Sequence, residues 1–232
     1  MWFFRKKGLC VLMYHHVGPE DGINDSCYYI SPGLFSKQMS LLTGEGYHPL
    51  SLWEVQNAFE QKKKLPEKSV LITLDDGWLD NYLYAYPILK EKNIPATIFI
   101  TPGLIGVDKH LFSWDQISEM HASGLVQFAS HGYTHKRLRD LNNEEALSEL
   151  KKSKQALEEF YKQPAKSFCY PFGAFDRRIR QLVFEAGYTM DYGTRKGINR
   201  WPWNANRPLL RVHVMANESL DDFSNELKYG RK

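Results

Sequence analysis

Asp75 and Asp76 stand side by side ahead of Gly77, at the end of the apolar run Leu71-Ile-Thr-Leu. Two carboxylates this close repel, and one is driven toward its protonated form unless a cation intervenes. One reading makes them a metal ligand and a general base; the other makes either Asp the cap of a following helix. The stretch alone leaves both open. His131 and His135 follow a second apolar run, Val126–Ser130. Four residues apart in a helical turn, two imidazoles can present nitrogens on one face, and with a carboxylate they suit zinc, nickel, cobalt or iron. An isolated His-x-x-x-His is more often an exposed pair. Here both pairs sit at strand ends, which favours a facial His-His-Asp set with open positions for water and substrate.

Two further stretches hold reactive groups. Phe168-Cys-Tyr170-Pro171-Phe172-Gly173 ends a third strand-like run in turn residues. Its fixed backbone is either an ordinary turn or a way to aim an N–H at an oxyanion. Met13-Tyr14-His15-His16-Val17 closes a strand-like run near the start, cut off by Gly18-Pro19. Adjacent strand side chains point to opposite faces, so at most one of the two histidines can serve a given site.

The elements that must position these groups alternate in type. Strands are expected at Leu9–Tyr14, Val70–Leu74, Ala96–Ile100, Val126–Ser130, Ser167–Tyr170, Tyr188–Tyr192 and Leu209–Val214. Between them lie helical patterns: Ser51 with Glu54 and Ser113 with Gln116 read as capping boxes, and Asn143-Glu-Glu opens a helix to about Tyr161. Repeated strand–helix alternation argues for a parallel α/β architecture, an open sheet or a barrel. About seven strands in one domain are expected, slightly short of the usual eight of a barrel.

Composition narrows the partners. The 232 residues are 43% hydrophobic and 25% charged with a net charge of +3, too mild for a nucleic-acid partner. Arg5-Lys6-Lys7 and Lys62-Lys63-Lys64 read as solvated faces. Cys10, Cys27 and Cys169 form neither a disulfide framework nor a zinc-finger pattern, and Cys10 and Cys169 read as buried. No run is long enough to span a bilayer. The Met1–Lys7 stretch has no signal-peptide core, so the expectation is a cytoplasmic protein or one exported by a signal not in this chain. Trp2, Phe3 and Phe4 have the composition of a weak interfacial anchor. Oligomeric state is left open.

In order and spacing, Asp75-Asp76-Gly77, Ser130-His131-Gly-Tyr-Thr-His135 and Tyr170-Pro-Phe-Gly173 resemble the polysaccharide deacetylase family, the fourth carbohydrate esterase family. The resemblance implies a deformed (β/α) barrel, a single deacetylase domain over residues 1–232, and metal-dependent removal of N-acetyl groups from amino sugars in a glycan or glycan precursor. It further implies Asp75 as base, Asp76, His131 and His135 as ligands of one divalent ion (zinc first; nickel, cobalt or iron as alternatives), and the Phe172 N–H as oxyanion donor. Trp78, Trp114, Tyr170 and Pro171 are candidates for the substrate pocket, with core packing as the alternative for the tryptophans. Trp201 and Trp203 could stack on sugar rings. An O-acetyl esterase, a sugar deformylase and a non-catalytic carbohydrate-binding relative are the rival readings.

Two departures stand out. The position that holds an Arg in many members is Cys169 here, so the usual Arg contact to the base is expected to be absent. The late leucine-x-histidine that supplies an acid is replaced by Leu210-Arg-Val-His213, with Leu and His on opposite faces of a strand. Tyr14-His15 and Gly193-Thr-Arg-Lys-Gly-Ile-Asn199 instead resemble the poly-β-1,6-N-acetylglucosamine deacetylase branch. That resemblance makes His15 the acid, with His16 turned away.

Overall fold

A computed structural model describes residues 8–20 and 26–231. The stretch Met1–Lys7, with the expected aromatic anchor and its basic cluster, lies outside them. Strands β1 (Cys10–Tyr14), β5 (Ser69–Asp76), β6 (Ala96–Ile100), β7 (Val126–Ser130), β8 (Ser167–Cys169), β9 (Met190–Tyr192) and β10 (Val212–His213) make one parallel sheet, in the order β10-β1-β5-β6-β7-β8-β9. A short β4 (His48–Pro49) pairs with the start of β5. Two further two-residue strands, β2 (His16–Val17) and β3 (Tyr29–Ile30), pair with each other beyond β1.

The last segment draws the sheet round into a deformed barrel. Leu209 N–H donates to Asp191 O at 2.8 Å and Gly193 N–H to Leu209 O at 3.0 Å, tying the segment to β9. Three residues later it pairs with β1, Leu12 opposite Val212 and Met13 opposite His213. One short run therefore joins both ends of the curled sheet.

Helices α1 (Pro32–Gly44), α2 (Leu52–Glu60), α3 (Tyr86–Lys92), α4 (Trp114–Ala122), α5 (Asn143–Tyr161), α6 (Arg177–Glu185) and α7 (Leu220–Tyr229) surround it. The capping boxes at Ser51/Glu54 and Ser113/Gln116 form as expected, and Asn142 with Glu145 caps α5 in the same way. None of these helices is long and apolar enough to cross a membrane.

Strand alternation sorts the core into two populations. Cys10, Leu12, Tyr14, Val70, Ile72, Leu74, Ile98, Ile100 and Val212 face outward, in one buried cluster with Phe35, Met39 and Leu89 of the helices. Leu9, Val11, Leu71, Phe99, Ala129, Cys169 and Tyr192 fill the barrel interior. Cys10 and Cys169 are buried as expected. The chemistry-bearing residues continue the inner parity at the upper end of the strands.

Helix α7 brings a buried acid. Glu226 is fully buried, ion-paired with Lys196. Burial, reinforced by Glu218 and opposed by Lys196, pushes its carboxyl up to about 7. A raised folded-state pKa contributes stability that is complete below the unfolded carboxylate value and is lost as pH rises through about 7. We expect the native chain to lose on the order of 2 kcal/mol between pH 5 and pH 8. Glu226→Gln should remove most of that slope, as read from denaturant midpoints at the two pH values.

Candidate active site

The inner face converges on one end of the barrel. Asp75 follows Leu71 and Thr73 in parity, and His131 follows Gln127 and Ala129. His15 continues Leu9, Val11 and Met13, and Arg211 and His213 share the inner side of the closing segment. Asp76 has outward parity, but its backbone lies in the left-handed region at φ 77°, and so do His135 at φ 56° and Phe172 at φ 59°. Non-glycine residues held there cost of order 1–3 kcal/mol and cluster where geometry is functional. Gly173 is required at its own φ of 61°, because a Cβ there would lie 2.2 Å from Thr194 Oγ1.

Asp76 Oδ1 lies 3.3 Å from His131 Nε2 and 3.0 Å from His135 Nε2. Their candidate ligand atoms all fall within 4.8 Å of one another. A tetrahedral ion with ligands at about 2.1 Å has ligand–ligand edges of about 3.4 Å, so the donor set fits a divalent ion. The surrounding hydrogen bonds select the right atoms. His131 Nδ1 lies 2.9 Å from Cys169 O, which can only accept, so Nδ1 carries the proton and Nε2 faces Asp76. Trp78 Nε1–H donates to Asp76 Oδ2 at 3.0 Å, leaving Oδ1 for the histidine side. A second trio, Asp75, His131 and Cys169, is equally close but fully buried, and its carboxylate is committed elsewhere.

That commitment is to Arg211. Its Nη1 and Nη2 donate to the two Asp75 oxygens, each at 2.7 Å, in a bidentate fork. Nε donates to Gly193 O at 2.8 Å and Nη1 also reaches Thr73 Oγ1 at 3.3 Å. Arg211 is 0% and Asp75 2% exposed. Burial would raise the Asp75 carboxyl, but the Arg211 charge and hydrogen bonds outweigh it and hold the group below the usual carboxylate range. The expectation that the base lacks an arginine is thereby corrected: Cys169 occupies the usual position, and the arginine comes from the closing strand. The signal was present as an Arg inside the apolar run Leu209-Leu-Arg-Val-His-Val214, two residues from His213 and so on its face.

His15 and His16 diverge as parity requires. The His15 ring lies 5.3 Å from that of His213 and 4.9 Å from Tyr28. Its buried Nδ1 has no hydrogen-bond partner among the described residues. Burial lowers its pKa, against the pull of the Asp75 and Asp76 charges. His16 Nδ1 instead lies 2.7 Å from Asp80 Oδ2, its ring stacked between Tyr29 and Trp78. His213 is pushed down to about 4, by burial and then by His15.

The expected pocket residues separate. Phe172 is 56% exposed at the rim, its ring 4.6 Å from His135 and 4.8 Å from the Arg137 guanidinium. Trp78 is beside Asp76, as above. Tyr170 is not a pocket wall: it is buried, its hydroxyl donates to Asp191 at 2.8 Å, and its ring stacks on Phe175. Pro171 is buried beside Gly132. Trp114 is a packing residue against Phe160 of α5.

The sequence and the fold that carry this site are similar to those of known proteins. The polysaccharide deacetylase family model fits residues 62–190, more than half of the chain. YxkH of Bacillus subtilis (strain 168), assigned to the polysaccharide deacetylases, is 33% identical over 189 residues, covering 82% of this chain. This chain spans 65% of that relative, just under two thirds of its length. The poly-beta-1,6-N-acetyl-D-glucosamine N-deacetylase of Staphylococcus aureus (strain MRSA252) is 27% identical over 215 residues, covering 82% of this chain and 72% of its own. The Streptococcus pyogenes deacetylase PplD, solved in complex with acetate, superposes with a TM-score of 0.86 at 28% identity, covering 96% of this chain and 99% of that one. IcaB from Ammonifex degensii gives 0.78 at 25% identity, covering 98% and 99%. The chain belongs to the polysaccharide deacetylase family.

Removing one partner of a buried ion pair leaves the other charge stranded, at about 3–5 kcal/mol. Arg211→Met should lose that much stability in denaturant unfolding. Adding Asp75→Asn to it should recover part of the loss, giving a favourable coupling in a double-mutant cycle.

Proposed function

We propose that this chain hydrolyses N-acetyl groups from amino sugars of a polysaccharide or glycan precursor, acting as one deacetylase domain across residues 1–232. The observation that carries the reading is the Asp76–His131–His135 donor set opening beside the ion-paired Asp75. The staphylococcal relative acts on poly-β-1,6-N-acetyl-D-glucosamine, and a β-1,6-linked N-acetylated glycan is the substrate class we favour.

Asp76, His131 and His135 hold one divalent ion, zinc by the chemistry of two imidazoles and a carboxylate. When bound, such an ion polarises the amide carbonyl and lowers the pKa of water toward about 7. Asp75 takes the proton from the attacking water; its pairing with Arg211 keeps it ionised, and Oδ1 retains a lone pair beyond the one given to the guanidinium, whereas Oδ2 also accepts from Cys169 Sγ. The Phe172 N–H, held by the left-handed turn, donates to the oxyanion as the water oxygen bonds to the carbonyl carbon. The C–N bond then breaks, and the departing nitrogen needs a proton, since an amide anion is too basic to leave. His15 delivers it; burial lowers its pKa, and the Asp75 and Asp76 charges offset part of that loss of the protonated form. His213, titrating near 4, carries almost no proton at neutral pH and serves as a neighbour to the acid.

Purified protein should take up roughly one zinc, nickel or cobalt ion per chain, and His131→Ala should abolish that uptake. Acetate release should appear with β-1,6-linked or chitin oligomers; release from acetylxylan alone would replace the amide reading with an ester one. Asp75→Asn should retain the metal while kcat falls about 10²- to 10⁴-fold. Among His15→Ala, His16→Ala and His213→Ala, we expect the first to lose most activity. An active His15 variant beside an inactive His213 variant would reassign the acid.

A further inference from the structure

Far from the catalytic end, the segment 196–210 and the tail of α7 enclose a cleft of about 500 Å³. Asn199, in its wall, is bonded to Leu9 at the opposite end of β1 from His15, roughly 20 Å along the strand at 3.3 Å per residue. Lys196, Arg200, Arg207 and Arg231 line the cleft with Trp203 and Tyr229, and no Asp or Glu among the described residues does. The Lys196 ammonium is engaged by Glu226. The guanidiniums of Arg200, Arg207 and Arg231 have no hydrogen-bond or ion-pair partner among the described residues, so three positive residues border one recess without a counter-charge among those residues.

The walls are tied down. Trp203 stacks on Phe59 at 5.5 Å and its Nε1–H donates to Lys63 O at 3.0 Å. Asn199 and Leu210 exchange hydrogen bonds of 2.8 and 2.9 Å. Gly230 approaches Gly197 so closely that a Cβ on it would lie 2.8 Å from the Gly197 carbonyl carbon. The Tyr229 ring beside it is 51% exposed.

Planar guanidinium forks match phosphate and carboxylate oxygens, aromatic faces pack on apolar surface, and 500 Å³ is within the range of small-molecule sites. We propose that this cleft is a second saccharide site, taking a sugar unit that bears a phosphate or a uronate carboxylate. A bilayer would meet projecting side chains on a broad face, whereas these charges line a recess the size of one or two sugar units. The site goes beyond the deacetylase reading and stands apart from it, because binding is measured without turnover.

The test is calorimetric titration of the full chain with ligands that lack an acetamido group, so that the catalytic centre is not the target. Oligogalacturonate and glucose 1-phosphate distinguish the carboxylate from the phosphate source, with cellotetraose as the neutral control. Binding by either anionic ligand, at least tenfold tighter than cellotetraose and weakening with salt, is expected. The Arg207→Ala/Arg231→Ala variant should raise its Kd at least tenfold, and Tyr229→Ala severalfold, with acetate release from a small substrate unchanged. Equal binding of cellotetraose, unchanged affinity in the arginine variant, or no binding of either anionic ligand would overturn the proposal. So would arginine-dependent binding to phosphatidylglycerol vesicles alone, which would make the cleft a membrane contact.

Discussion

A buried guanidinium and a buried carboxylate, Arg211 and Asp75, meet at 2.7 Å inside the barrel. Much of the arrangement around them follows from their needs. Taking two charges out of water costs several kcal/mol each, which only close geometry and satisfied hydrogen bonds offset. The fork supplies the geometry, and Gly193 O and Thr73 Oγ1 take further donors. The pair also links the last strand to the centre of the sheet. The segment that contributes Arg211 is the one bonded to both β9 and β1, so closing the barrel and completing the site are one structural event.

The second organising constraint is backbone conformation. Three residues at the mouth, Asp76, His135 and Phe172, sit in the left-handed region. Regular strand geometry would have sent the Asp76 side chain outward, away from Asp75's face. Reversing φ at this one residue brings Asp76 Oδ1 to both histidines, while Asp75 remains ion-paired within the barrel. Two adjacent carboxylates thereby acquire different environments, one facing Arg211 and one facing imidazoles. Such separation lets neighbouring acids take different chemical roles.

Much of this was legible in the chain. The strand runs at Ala96–Ile100 and Val126–Ser130 match the observed strands, because continuous apolar stretches bounded by turn residues are how buried parallel strands read. The caps at Ser51 and Ser113 are local hydrogen-bond patterns and form locally, and the helix read from Asn143 begins there, with Asn142 as its cap. Parity alone separated His15 from His16. Less legible were the two-residue strands β2, β3 and β4, too short to carry any period. Tyr170 and Trp114 were ambiguous for another reason: an aromatic beside a motif reads the same whether it lines a pocket or packs under it. Only the Asp191 carboxylate beneath Tyr170 and the Phe160 ring against Trp114 distinguish the two.

By itself the sequence determined the family, the alternating strand–helix plan and the Asp and His residues that meet at the barrel's end, since these rest on spacing and periodicity within short windows. The tertiary structure alone decided where the arginine comes from. Asp75 and Arg211 are separated by 136 positions, and no local pattern joins them. They meet because the final strand closes the curled sheet with its inner face toward β5, and a charge buried there must find its opposite.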